Sequence, residues 1–228
     1  MSLSNVTHPI DLAPTLAFLS EIQQHNTRDW FEQNRSVYDQ AREPFASLAN
    51  QIITDFRSVE DWGNITAKDC VMRLYRDVRF SKDKSPYRTH FGAAFAVGGK
   101  KSGRMPYYLH IEPGDRSFLA GGMYSPTAEQ LAKFRVAIDR NAKPFKSLIN
   151  AKSFREQFGV VEGEKLKTAP QGYDRHHPEI GLLNFKQVIA RRTLSDRELL
   201  DVTLPKRIVD LFVGMKPLLD YLNQVTAI

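Results

Sequence analysis

The chain has 228 residues, 42% of them apolar and 25% charged, with 32 Lys and Arg against 26 Asp and Glu. That is the profile of an ordinary globular protein and excludes a disordered chain, a collagen-like repeat and a disulfide scaffold. A chain of this length can bury roughly 70–75% of its unfolded surface, so it needs neither metal nor cross-link to fold.

The single cysteine, Cys70, rules out an internal disulfide and any cysteine-based zinc cluster. Its apolar surroundings predict a buried structural thiol. The first residues carry no basic leader, and the run Leu12 to Leu19 is interrupted by Pro14. No stretch approaches the ~18 apolar residues of a membrane span. The expectation is a cytoplasmic protein that does not engage a membrane.

In chain order, Leu12, Leu16, Leu19 and Ile22 share one helical face. A second helix begins near Thr27 with Trp30, Phe31, Asn34, Val37 and Tyr38. Pro44 opens a third, because proline suits a first helical turn better than a helix interior. Phe45, Leu48, Ile52 and Phe56 continue its apolar stripe. From Cys70 the period changes to two. Met72, Leu74, Val78 and Phe80 alternate with Val71, Arg73, Tyr75, Asp77 and Arg79, Arg76 being the misfit; 90–97 and 107–112 alternate likewise, and a fourth run covers 117–124. Short links between these four runs predict an antiparallel meander. Ser125-Pro126 reads as the next helix start. Shorter strand candidates follow at Val160-Val161 and at 185–192. Ser195-Asp-Arg-Glu198 is a capping box, and the C-terminal helices it opens are expected to break at Pro205 and Pro217. The expected fold is a single α+β domain over 1–228, with a central, mostly antiparallel sheet packed by N- and C-terminal helices.

The charge is concentrated. From Lys68 to Arg104 ten basic residues face three aspartates, giving +7, so the other 191 residues sum to −1. One focused region of this kind points to an anion site. If 70–80 and 90–97 pair, Arg73, Asp77 and Arg79 share a face opposite Gly92, Ala94 and Ala96, whose small side chains leave a concave space. Guanidinium forks suit phosphate or carboxylate because they donate two parallel hydrogen bonds. Asp77 and Asp83 would hold neighbouring cations in place. Lys82 and Lys84 lie on the connecting loop, rigidified by Pro86, and would close over the ligand.

The run Arg76-Asp-Val-Arg-Phe-Ser-Lys-Asp-Lys-Ser-Pro-Tyr87 resembles the central motif of the bacterial and fungal family called domain of unknown function 2461. Asn26 to Asn34 with Arg35 and Tyr38, Gly121-Gly-Met-Tyr124, Lys165 to Gly172 and His177-Pro178 resemble it too. The resemblance spans nearly the whole chain and implies one family-sized domain. It implies no catalytic role, since the family carries no established activity. It does mark Arg76, Asp77, Arg79, Lys82, Asp83, Lys84, Pro86 and Tyr87 in the region where the charge peaks. With Arg73, and with Pro86 left out, these are the expected ligand-binding residues. Arg35, Tyr38 and Lys167 are second-rank candidates.

Other motifs fail on spacing. Gly98 to Gly103 lacks the register of a phosphate loop and joins two strands. No dinucleotide-binding fingerprint follows a strand. His110 with Glu112, and His176-His177 with Glu179, each lack a third ligand, so no metal site is assigned and no cofactor is named. Glycines before Pro126 make that helix start a modest anion feature. Three functions remain open: a small phosphate or carboxylate ligand, with or without chemistry at the site; nucleic acid, using the tyrosines among the cations; or an acidic protein partner.

Overall fold

The computed structural model describes residues 10–227. Three helices come first: α1 (Ala13–Gln24), α2 (Arg28–Gln33) and α3 (Arg35–Phe56). Thr27 caps α2, its hydroxyl accepting from the Trp30 N–H. The break falls at Asn34, not at the expected Pro44, which lies inside α3. Proline deprives the carbonyl four residues earlier of its donor. That residue, Gln40, is exposed, so solvent is at hand. Pro217 is accommodated likewise, four residues after the exposed Val213, within an unbroken α10 (Leu204–Thr226). Pro205 instead sits in the first turn of α10.

After α4 (Ala67–Cys70) come β1 (Phe91–Phe95), β2 (Tyr107–Ile111) and β3 (Ser117–Met123). Helices α5 (Ala128–Asn141), α6 (Lys143–Asn150), α7 (Lys152–Phe158) and α8 (Ile180–Leu183) precede β4 (Val188–Leu194); α9 (Asp196–Leu199) leads into α10. The four strands form an antiparallel meander in chain order, so the fold is α+β. Phe91, Ala93, Phe95, Leu109, Ile111 and Leu119 turn one face of the sheet into the core. There Phe56 of α3, Trp62, Tyr107 and Phe212 of α10 meet at ring separations of 4.6–6.1 Å. Each fully buried phenylalanine contributes about 1.5–3 kcal/mol.

The expected strand at 70–80 does not form. Only two isolated bridges, Val71 to Ala93 and Tyr75 to Tyr87, tie this segment to its neighbour. Four steps separate the bridged residues on one side and six on the other, so the ladder slips by two residues between them. Beyond Arg76 the chain leaves the sheet, and Phe80, assigned to the apolar face by alternation, is 96% exposed. Near residues 160–161 the chain makes only a single bridge, from Glu162 to Ile189. At the next helix it is Thr127, not Ser125, that caps: its hydroxyl accepts from Gln130 N–H while the Gln130 side chain accepts from Thr127 N–H. That capping box occupies N–H groups at the expected anion feature.

Candidate anion-binding groove

At the β1 edge of the sheet lies an open groove of about 1170 Å³, bounded by α3, residues 68–79 and the turn after β1. Three local structures shape it. Helix α3 brings Tyr38 and Arg42, one turn apart, to its wall. The segment after α4 is held near β1 by Met72 N–H donating to the Gly92 carbonyl at 2.8 Å and Arg88 N–H donating to the Leu74 carbonyl at 2.8 Å. The turn is pinned to α4 by Lys100 N–H donating to the Asp69 carbonyl at 3.1 Å. Gly99 permits that approach: its φ is +77°, and a Cβ there would stand 2.9 Å from the same oxygen.

The groove gathers Arg42, Lys68, Arg73, Arg76, Arg79, Arg88, Lys100 and Lys101. Arg79 is forked onto Asp77 by bonds of 2.9 and 2.6 Å, and Arg76 is paired with Asp83. The other six make no ion pair with any described carboxylate. Arg88 goes further, since its Nε is buried with no hydrogen-bond partner among the described residues. Asp77 is held below the ordinary carboxylate range by the Arg79 guanidinium. Asp83 is held well below it by the Ser85 hydroxyl and N–H and by Arg76.

The expected residues therefore divide. Arg73, Arg76, Asp77 and Arg79 line the groove. Lys82, Asp83 and Lys84 lie in the exposed loop beyond it, where the Lys84 ammonium donates to the Val78 carbonyl at 3.1 Å. Tyr87 is buried and its ring stacks on Phe31 at 4.2 Å. Of the second-rank residues, Tyr38 lines the groove and Arg35 donates to the Tyr75 hydroxyl at 3.4 Å. Lys167 is exposed and does not line it. Sequence reasoning missed Arg42, although its place one helical turn after Tyr38 was the available signal. A second cavity, of about 630 Å³, has the Lys146–Glu179 and His177–Asp139 pairs in its wall.

The sheet's other face carries a stack that crosses its strands. His90 lies over His110 at 4.1 Å, His110 over Phe118 at 4.4 Å, and the Arg191 guanidinium over Phe118 at 4.1 Å. Glu112 Oε2 stands 3.0 Å from His110 Nε2. Burial, with His110 and Arg88 nearby, pulls His90 down to about 4, and burial lowers His110 despite Glu112. Burial opposes ionisation of Glu112, but His110 and Arg116 overcome it and hold its pKa below the usual range.

No helix among the described residues is long and apolar enough to cross a membrane. No curated protein and no solved structure matches the chain. The family model described as conserved hypothetical protein (DUF2461) matches residues 14–221, which takes in both the groove and the stacked face. The chain therefore belongs to the family called domain of unknown function 2461.

Proposed function

We propose that the groove binds a small anionic ligand bearing phosphate or carboxylate. The observation that carries this reading is the set of six groove cations without a carboxylate partner, which keep their charge available. Cations confined to one concavity focus the field on a ligand. Planar guanidinium groups from Arg42, Arg73 and Arg88 recognise oxyanions by paired hydrogen bonds. Arg88 Nε adds a donor that lacks an acceptor among the described residues.

A second reading, single-stranded nucleic acid, draws on a different observation. Tyr75 is 49% exposed and Phe80 96% exposed, both beside groove arginines. Aromatic faces among cations suit base stacking combined with phosphate contact.

A thermal-shift panel with inorganic phosphate, pyrophosphate, citrate and an oligothymidylate separates these readings. At about 100 times its dissociation constant a ligand adds about 2.7 kcal/mol, and each kcal/mol raises the midpoint about 2–4 °C at this size. A small anion that stabilises wild type but not a folded Arg73→Ala variant supports the proposal. Stabilisation by the oligonucleotide alone, erased by salt, favours nucleic acid. No shift with any of the four overturns both readings.

A further inference from the structure

Outside the groove, one cluster of buried and half-buried side chains combines two imidazoles with a carboxylate. His110 of β2 and Glu112, just past the end of that strand, stand two residues apart, which is a pair without a third member in the sequence. The register supplies it: Phe91 pairs with Ile111, so one step further His90 comes opposite Glu112. His90, His110 and Glu112 each present one ligand atom, and these atoms all lie within 4.8 Å of one another.

We propose that His90, His110 and Glu112 bind one divalent first-row transition-metal ion. Two imidazoles and a carboxylate suit zinc or ferrous iron, whereas magnesium and calcium prefer oxygen ligands alone. Metal bonds of about 2.0–2.1 Å in a tetrahedral shell set ligand atoms about 3.3 Å apart. His110 Nε2 and Glu112 Oε2, 3.0 Å apart, already meet that spacing. His90 makes the remaining approach. It is half-buried, and no side-chain hydrogen bond among the described residues ties its ring, so a side-chain rotation can turn it toward the other two.

The surroundings hold the other two ligands as a metal site requires. Phe118 packs flat on His110, at 14° between ring planes, and fixes the plane of that ring. The Tyr108 hydroxyl is 3.5 Å from His110 Nδ1, where its oxygen can accept a hydrogen bond from Nδ1–H and so hold the tautomer that leaves the Nε2 lone pair for the ion. Arg116 Nε binds Glu112 Oε1 at 3.1 Å, which leaves Oε2 to His110 Nε2, and an ion would take the place of the proton between these two atoms. Three protein ligands leave coordination positions open to water or another small ligand. None of these residues lines the basic groove, so the site stands or falls independently of the proposed anion binding.

The test titrates chelator-treated full-length protein with zinc chloride by calorimetry and with cobalt chloride by visible absorption. One saturable equivalent is expected, with magnesium chloride giving none. His90→Ala and Glu112→Gln should weaken it by more than the roughly 10–100-fold that loss of an outer-shell partner costs, and Tyr108→Phe by about that smaller factor. His176→Ala and Arg73→Ala should leave it intact. Circular dichroism establishes that each variant is folded. Absence of saturable binding to folded wild type overturns the proposal, as does an equivalent that survives in folded His90→Ala.

Discussion

The side-chain amide of Asn26 pairs with both ends of Tyr87: its oxygen accepts from the Tyr87 N–H at 3.1 Å and its nitrogen donates to the Tyr87 carbonyl at 3.0 Å. Five residues after Asn26, Phe31 stacks on the Tyr87 ring. Two stretches far apart in the chain are thus locked together beside the groove. Asn26→Ala leaves two backbone groups unpaired, at about 1–3 kcal/mol for each that stays buried. Urea denaturation should show a lower midpoint, and Tyr87 amide exchange should accelerate.

Asp77 has already neutralised Arg79. Arg79→Ala should therefore weaken phosphate binding in the groove less than Arg73→Ala does. Asp77→Asn removes one negative charge and frees a guanidinium, so it should tighten binding. Calorimetric titration with inorganic phosphate across these three variants reads the order directly, and tighter binding in Arg73→Ala than in Arg79→Ala would contradict it.

Gly122 has a φ of +126°, and a Cβ there would stand 2.3 Å from the Val188 carbonyl oxygen. The obstacle is backbone, so it cannot swing aside. Gly122→Ala should cost more than the roughly 1–3 kcal/mol of an ordinary strained residue. Denaturation, or failure of the variant to accumulate as folded protein, is the readout.

Glu198 is held below the ordinary range by the Ser195 N–H, then by the Ser195 hydroxyl and Arg207. A depressed folded-state pKa contributes stability that is fully present above the unfolded pKa and is lost as pH falls through the folded value. Glu198→Gln should lower the melting temperature near pH 7. Below the ordinary glutamate value of 4.5 the gap to wild type should narrow.

Cys70 is buried, and burial pushes its thiol up to about 12. At pH 8 a thiol reagent should label it slowly in the native chain and rapidly in denaturant. Fast labelling of folded protein would show that the α4 region opens readily.

The parts legible in the sequence were those governed by local rules. Runs 90–97 and 107–112 alternate because one sheet face packs large apolar side chains into the helical core, and β1 and β2 fall within them, as β3 does within the run 117–124. The region 70–80 alternates as well, yet Phe80 lies in solvent and the ladder slips by two residues before Tyr75. A side-chain pattern cannot report a slip that depends on the partner strand. Prolines misled for a related reason: whether Pro44 or Pro217 ends a helix depends on exposure of a carbonyl one turn back. The charge count located the groove, but Arg42 came from a helix outside the basic segment. His90 became relevant only once its register against Glu112 was known.

Two single bridges sit against the outer strands of the sheet: Val71 meets β1 at Ala93 and Glu162 meets β4 at Ile189, while the Tyr75 bridge reaches Tyr87, ahead of β1. Exposed strand edges are templates on which further chains add and aggregate. Here each edge meets an irregular segment that takes up some of its hydrogen bonds and ends after a residue or two, too short to recruit a successor. A slipped ladder that is useless as a strand thus acts as a guard, and Arg73, carried on that guard without an ion-pair partner among the described residues, sets a bare positive charge where a further strand would have to pair.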